Sequence, residues 1–366
     1  MRIVIAGGGT GGHLFPGIAI AEEFLKRNKE TAVIFIGTKK GIESKLLEKF
    51  GYELKKIEIE GVKGRGIKAL LKGAYQIPKS IWQSRRILKQ FGPDIVFGVG
   101  GYASGPAVLA AHFMSIPTGI AEQNAIPGVT NRILGNFVDR IFVTYAQTRE
   151  CFPQAKVVLS GNPVRASFTV GSAKTKEKKD YRQLLIFGGS QGAEAINKSV
   201  VDMLPQLQNM KNKLHILHQT GAKQAEEVKK AYEQFGIQAK VTPFIVDMAA
   251  AYADADLIIC RAGATSLAEI TAAGKAAVLI PYPWAANDHQ LKNAQALAAQ
   301  GAAAVIPEKE LSGSNLFKVI ENLLLDEKKL RQMEENSLRM SRIDAAATIV
   351  DSCIQLIAGK NQTYSS

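Results

Sequence analysis

Cysteine is scarce in this chain: Cys151, Cys260 and Cys353 are the only three, far apart and with no CxxC pair. An odd, scattered set argues against a disulfide framework and against a zinc site. Reduced, mostly buried thiols are the expectation. Long apolar runs are missing too. No stretch reaches the roughly 18 consecutive apolar residues that a membrane span needs. The opening MRIVIAGGGTGGH runs from a short apolar stretch straight into glycines, unlike a secretory signal, so a cytoplasmic location is expected. Carboxylates are absent from residues 61–93, which hold eight basic residues. The whole chain carries a formal net charge of +13. Such a balance suits nucleic acid, anionic lipid or phosphorylated substrates, and the location of the charge decides among them.

Short β-branched runs alternate with helical patterns over most of the 366 residues, a length that suggests two domains. RIVIA (2–6), AVIFIG (32–37), DIVFGVG (94–100), PTGIAE (117–122) and RIFVT (140–144) read as buried parallel strands. Helical segments at 16–27, 42–50 and 127–135 lie between them. VGSAKTKEKKD (170–180) is small, charged and without periodicity, and reads as a surface loop after a domain junction. The pattern restarts with QLLIFGG (183–189), LHILHQ (214–219), AKVTPFI (239–245), ADLIICRAG (255–263) and AAVLIPY (276–282). Both halves open with a strand delivering a glycine turn to a helix, GGGTGG at 7–12 and GGSQGA at 188–193. One doubly wound α/β unit used twice is the expected class.

Gly7, Gly9 and Gly12 satisfy GxGxxG, which lets backbone and helix N-terminus approach a phosphate. The second strand ends Gly37-Thr38-Lys39-Lys40, without the carboxylate that a nicotinamide dinucleotide's ribose asks for. His13 closes the first loop, and an imidazole with an unperturbed pKa near about 6.5 suits proton transfer there. A packed helix-start histidine is the alternative. Ser190 in the second loop would hold a diphosphate, or belong to a plain strand–helix turn. Asp254-Ala255-Asp256 has the form of a metal-binding DxD but precedes a strand, where aspartates commonly end a helix or turn, so no metal is expected.

Several stretches together resemble the MurG family of peptidoglycan N-acetylglucosaminyltransferases. They are GGTGGH (8–13), GVGGYASGP (98–106), EQNAIPG (122–128), SGNPVR (160–165), FGGSQGA (187–193), PFI (243–245), CRAGATSLAE (260–269) and PW–NDHQLKNA (283–294). The resemblance implies the GT-B fold, α/β with two Rossmann-like doubly wound parallel-sheet domains facing a cleft. It implies an acceptor and membrane domain at 1–164, a UDP-GlcNAc domain at 165–341, and a C-terminal helix near 342–366 packing back on the first.

The implied reaction inverts the linkage, moving GlcNAc from UDP-GlcNAc to the muramyl 4-hydroxyl of lipid I to form lipid II, with no cofactor. The resemblance puts Thr10, Gly11, Gly12 and Asn124 at the donor sugar and diphosphate, and Arg165 and Ser190 on phosphate. Ile245 would meet uracil through its backbone, Glu269 the ribose hydroxyls, and Gln290 the GlcNAc hydroxyls. Gly100, Gly101, Tyr102 and Ser104 would contact the acceptor diphosphate. The family's His-Glu-Gln-Asn reads Ala121-Glu122-Gln123-Asn124 here, which leaves His13 and Glu122 as candidates for the base or its helper.

A lipid acceptor requires a membrane. In 61–93 the basic residues interleave with Ile67, Leu70, Leu71, Tyr75, Ile77, Ile81, Trp82, Ile87 and Leu88, and an ordinary amphipathic helix with its apolar side in the core is the alternative. Apolar residues at helical spacing beside basic ones suit an anionic surface, met through about residues 61–90. The expected location is the cytoplasmic side of the cell membrane, peripherally. The basic stretch lacks the stacking aromatics of a nucleic-acid groove, so no nucleic-acid partner is expected. The competing readings are another GT-B enzyme, such as a UDP-GlcNAc 2-epimerase or glycolipid synthase, an NAD(P)-dependent oxidoreductase, and a non-catalytic phosphate- or nucleic-acid-binding protein.

Overall fold

The computed structural model describes residues 1–9, 11–38, 47–59, 67–170, 180–189 and 191–363. The chain divides into two compact units: Met1–Arg165 together with Ile343–Ser366, and Ala166–Arg342.

The first unit carries strands β1 (Arg2–Gly7), β2 (Ala32–Thr38), β3 (Glu53–Ile57), β4 (Ile95–Gly100), β5 (Thr118–Glu122), β6 (Arg140–Val143) and β7 (Val157–Leu159). They form a parallel sheet in the order β3-β2-β1-β4-β5-β6-β7. Successive side chains point to opposite faces of a strand, so each strand feeds two cores. Ile3, Ile5, Phe35, Phe97 and Phe142 pack with Leu14, Ile18 and Phe24 of helix Gly11–Arg27 and with Ile349, Val350 and Cys353 of helix Ala345–Thr363. Val4, Ala6, Ile34, Ile36, Val96, Ile120 and Ile141 pack with Leu88 of helix Ile67–Phe91 and with Ala107, Val108 and Ala111 of helix Ser104–Phe113. Burial on both faces explains why these strands read as unbroken apolar runs.

The second unit repeats the plan with β8 (Arg182–Phe187), β9 (Leu214–Gln219), β10 (Ala239–Thr242), β11 (Leu257–Cys260), β12 (Ala276–Leu279) and β13 (Ala303–Val305). Their order is β10-β9-β8-β11-β12-β13, again parallel. Leu184, Ile186, Ile216, Leu257, Ile259 and Val278 meet helices Glu194–Leu207, Ala225–Gln234, Gly313–Leu325 and Glu327–Arg339 on one face.

Aspartates fix strand starts in both units. The Arg2 N–H donates to Asp94 Oδ2 at 2.7 Å and the Asp94 N–H returns a bond to Arg2 O at 2.8 Å. Gln183 and Asp256 make the same exchange, at 2.7 and 2.8 Å. Asp139 takes bonds from the Thr118 N–H at 2.8 Å and hydroxyl at 3.0 Å. Each aspartate satisfies groups that the end of a ladder would leave unpaired.

The sequence missed β3, β7 and β13, all edge strands that are short or half solvated. Several expected strands stop early. AKVTPFI ends at Thr242 because Pro243 lacks the N–H that a ladder needs. ADLIICRAG ends at Cys260 and AAVLIPY at Leu279. The first helix starts at Gly11, five residues before the apolar pattern begins, so the glycine loop feeds directly into it. The expected helix 42–50 falls partly outside the described residues, as does most of the loop 170–180. Cys260 and Cys353 are buried, Cys151 is exposed, and all three are free thiols.

Candidate functional site

Strand order reverses between β1 and β4 in the first unit and between β8 and β11 in the second. Crevices at such reversals, outside the strand C-termini, are where doubly wound sheets bind ligands. Both glycine loops lie at these points. Two helices start beside each: Gly11–Arg27 and Ser104–Phe113 in the first unit, Glu194–Leu207 and Ala264–Ala272 in the second. Only the helix at Glu194 has an acidic residue in its first turn, so the other three present their amides to anions unopposed.

In the first unit the glycine loops interlock. The Gly8 N–H donates to Gly100 O at 3.3 Å. A Cβ on Gly7 would lie 2.3 Å from Gly100 O, and one on Gly101 2.3 Å from Gly8 O. The His13 ring packs on the Cα of Gly100, where a Cβ would meet Nδ1 at 2.6 Å. Gly100 and Gly101 adopt φ of +94° and +81°. Only glycine combines that backbone with so close an approach. Gly11, Gly12, His13, Gly100 and Gly101 are thus assembled in one place, with Ser104 buried at the adjoining helix start and Tyr102 exposed. Thr10 lies outside the described residues.

Glu122 ends β5 and is 3% exposed. Its carboxylate accepts from the Asn124 N–H at 3.0 Å, Asn124 Nδ2 at 3.2 Å, the Gly128 N–H at 3.0 Å and Asn131 Nδ2 at 2.8 Å. Four donors occupy both oxygens. Glu122, expected as the base or its helper, thus shapes the 122–131 loop and holds Asn124 in place. Asn131, which sequence reasoning passed over, also donates to Ala121 O at 3.1 Å. Its signal was a buried asparagine following the NAIPG turn.

Arg165, expected on phosphate, lies along the flank of helix Gly11–Arg27. Its guanidinium stacks over Phe15 at 4.6 Å and reaches Phe50 at 5.9 Å. Burial raises the pKa of nearby Glu22, and the Arg165 charge partly offsets that. Tyr52 is pushed up to about 12 by burial and by Glu22. These neighbours anchor Arg165 at the end of the first unit's Met1–Arg165 stretch.

In the second unit the interlock turns toward the other neighbour. A Cβ on Gly192 (φ +80°) would lie 1.9 Å from Thr220 O, and one on Gly221 (φ +79°) 2.0 Å from Gln191 O. The loop after β8 is thus braced by the turn after β9. Ser190 lies outside the described residues. Glu269 sits in the second turn of helix Ala264–Ala272, 7% exposed, accepting from the Tyr252 hydroxyl at 3.3 Å. Burial and Glu269 raise the Tyr252 pKa well above its ordinary value, so that hydroxyl remains a donor. Ile245 follows β10. Among the described residues no hydrogen bond engages its N–H or carbonyl, although the side chain is buried. Gln290 Oε1 accepts from the Tyr282 N–H at 3.0 Å, which ties helix His289–Ala298 to the loop after β12; among the described residues no hydrogen bond engages its NH2. Asn287 and Asp288 before it adopt φ of +53° and +52°. Two successive non-glycine residues in the left-handed region are strained, as is common at ligand sites.

Asp256 is committed to Gln183 at the N-terminal end of β11, the edge of the sheet opposite the glycine loop. The DxD form here belongs to strand registration. Arg261, just past β11, was not singled out from sequence. It bonds Ile280 O at 3.2 Å and pairs with Glu308, clamping the β12 exit.

The glycosyltransferase family 28 N-terminal domain matches residues 3–143, and the family 28 C-terminal domain matches residues 183–349. A UDP-N-acetylglucosamine--N-acetylmuramyl-(pentapeptide) pyrophosphoryl-undecaprenol N-acetylglucosamine transferase of Syntrophus aciditrophicus is 54% identical over 98% of this chain and 99% of its own. The crystal structure of Acinetobacter baumannii MurG superposes with a TM-score of 0.77 at 32% identity, over 97% of this chain and 99% of that one. A UDP-GlcNAc 2-epimerase from Neisseria meningitidis gives a TM-score of 0.69 at 14% identity, over 97% of this chain and 100% of its own, which shows a shared fold alone. Two glycine-braced parallel-sheet units, matched end to end at this identity, settle the lineage: the chain belongs to the MurG family of N-acetylglucosaminyltransferases, with the GT-B fold.

Proposed function

We propose that this enzyme transfers N-acetylglucosamine from UDP-GlcNAc to the muramyl 4-hydroxyl of lipid I, giving lipid II in peptidoglycan synthesis. The observation that carries the reading is the pair of interlocked glycine loops, each at its own sheet's reversal and each beside the starts of helices. Pyrophosphates are the ligands such amide nests suit, and this reaction has one on the donor and one on the acceptor.

The second unit takes the nucleotide. Ile245 has an unused backbone N–H and carbonyl to pair with the uracil edge. Glu269 accepts from the ribose hydroxyls. The loop at 188–193, with Ser190, cradles the diphosphate, and its amides stabilise charge developing on UDP as it leaves. Gln290, with its free amide hydrogens, reads the GlcNAc hydroxyls. The first unit takes the acceptor at Gly100, Gly101, Tyr102 and Ser104, while Thr10, Gly11, Gly12 and Asn124 address the sugar. His13 is the base. With Nδ1 buried on Gly100, Nε2 is the ring nitrogen that takes the proton of the attacking hydroxyl. That hydroxyl bonds to the anomeric carbon, the bond to UDP breaks, and the anomeric configuration inverts.

The enzyme acts at the cytoplasmic face of the membrane. On helix Ile67–Phe91, Leu88 is in the core, but Tyr75 and Trp82 are 69% and 62% exposed. They lie seven residues apart on one helical face, among lysines and arginines. That face would enter an anionic bilayer surface.

The test is UDP release from UDP-GlcNAc with and without a lipid I analogue. Release that requires the analogue is expected, falling on the order of 10²- to 10⁴-fold in His13→Ala with UDP affinity intact. Release independent of any acceptor, with epimerised sugar as product, would instead favour the epimerase reading.

A further inference from the structure

We infer that His218 is a positioning residue for donor binding, acting through a buried chain of hydrogen bonds that ends under the second glycine loop. The inference rests on the second unit's role in holding the nucleotide.

His218 lies on β9 with no exposed surface. Its Nδ1 is 3.1 Å from the Tyr232 hydroxyl and its Nε2 is 3.1 Å from Asn197 Oδ1. Asn197 Nδ2 donates to Thr220 O at 2.9 Å and to Gln224 Oε1 at 2.8 Å. Both hydrogens of that amide are used, so Oδ1 is its acceptor and His218 must carry its proton on Nε2. Nδ1 then accepts from Tyr232. The direction of every bond is thereby fixed: Tyr232 to His218, His218 to Asn197, Asn197 to Thr220.

Thr220 O is the atom on which Gly192 closes, at a distance that admits no side chain. Asn197 is in the first turn of helix Glu194–Leu207, and its N–H bonds Ala193 O at 2.9 Å. One amide therefore couples the start of the helix behind the glycine loop to the turn that braces that loop. His218 holds that amide in a single orientation. A fully satisfied buried network of this kind specifies one geometry, and a half-satisfied one does not.

The test compares His218→Gln, which keeps a donor and an acceptor, with His218→Phe, which fills the space but keeps neither. Tyr232→Phe and the core variant Val228→Ala serve as controls for loss of one hydroxyl and for loss of stability alone. UDP affinity by calorimetry, KM for UDP-GlcNAc and for a lipid I analogue, and Tm are measured on each. His218→Phe is expected to weaken UDP binding and raise KM for UDP-GlcNAc at least tenfold, with KM for the acceptor unchanged. His218→Gln recovers most of the affinity, and Tyr232→Phe falls between. Val228→Ala lowers Tm without touching either KM. If folded His218→Phe binds UDP as wild type does, the inference is overturned. If wild type itself binds no UDP, the functional reading fails instead.

Discussion

Four hydrogen bonds converge on the Glu122 carboxylate. Glu122→Ala leaves buried donors unpaired and should cost about 3 kcal/mol in urea denaturation. Glu122→Gln should do nearly as badly, because its NH2 would face the Gly128 N–H or the Asn131 amide. A glutamine that preserved stability and abolished only turnover would return Glu122 to the role of base. His218 has a different signature. Burial lowers its pKa to about 3, so the folded protein keeps it neutral while the unfolded chain protonates it near its ordinary value. The unfolded state then binds more protons over the window from about pH 6.5 down to about 3, and stability falls as pH falls through it. Between pH 7 and 5 the loss attributable to this group is about 2 kcal/mol. His218→Gln has no such group, so its unfolding free energy should be flatter across that interval.

At the scale of elements, the glycine loops behave as matched parts. Gly100→Ala places a methyl 2.6 Å from His13 Nδ1 on a backbone at φ +94°. Strain of about 1–3 kcal/mol and a displaced imidazole follow. Turnover should fall at least tenfold while calorimetric UDP binding, which the proposed function assigns to the other unit, is unchanged. The paired openings GGGTGG and GGSQGA announced both loops and the repeated α/β plan. The sequence did not announce which neighbouring turn each loop leans on, because that depends on atoms about 100 residues away in one unit and 30 in the other. Buried strands were legible since both of their faces are apolar. Edge strands such as Glu53–Ile57 were not, since half of their residues meet water. Ile245 and Ile280, just past β10 and β12, were folded into expected strands because both are apolar and buried.

At the scale of the whole molecule, the +13 charge and the exposed Tyr75 and Trp82 argue for a surface that salt weakens. Sedimentation with phosphatidylglycerol vesicles should decline steeply as the Debye length shrinks from about 10 Å at 0.1 M to about 3 Å at 1 M salt. Tyr75→Ser with Trp82→Ser should lower it further at every ionic strength. Neutral vesicles binding equally well would remove charge from the account. The candidate site residues were singled out by motifs. The partners of these residues were not legible: neither the four donors around the Glu122 carboxylate nor the Phe15 and Phe50 rings under Arg165 could be read from the motifs. One feature of chain routing governs how the protein is made. The first unit includes Ile343–Ser366, and Ile349, Val350 and Cys353 cover the side of its sheet that holds Phe35 and Phe97. A ribosome finishes the second unit's sequence before it releases that covering helix. The first unit therefore waits, with greasy side chains uncovered, until the whole of the second unit's sequence has been translated, and losing that helix would injure a core built mostly of residues far upstream.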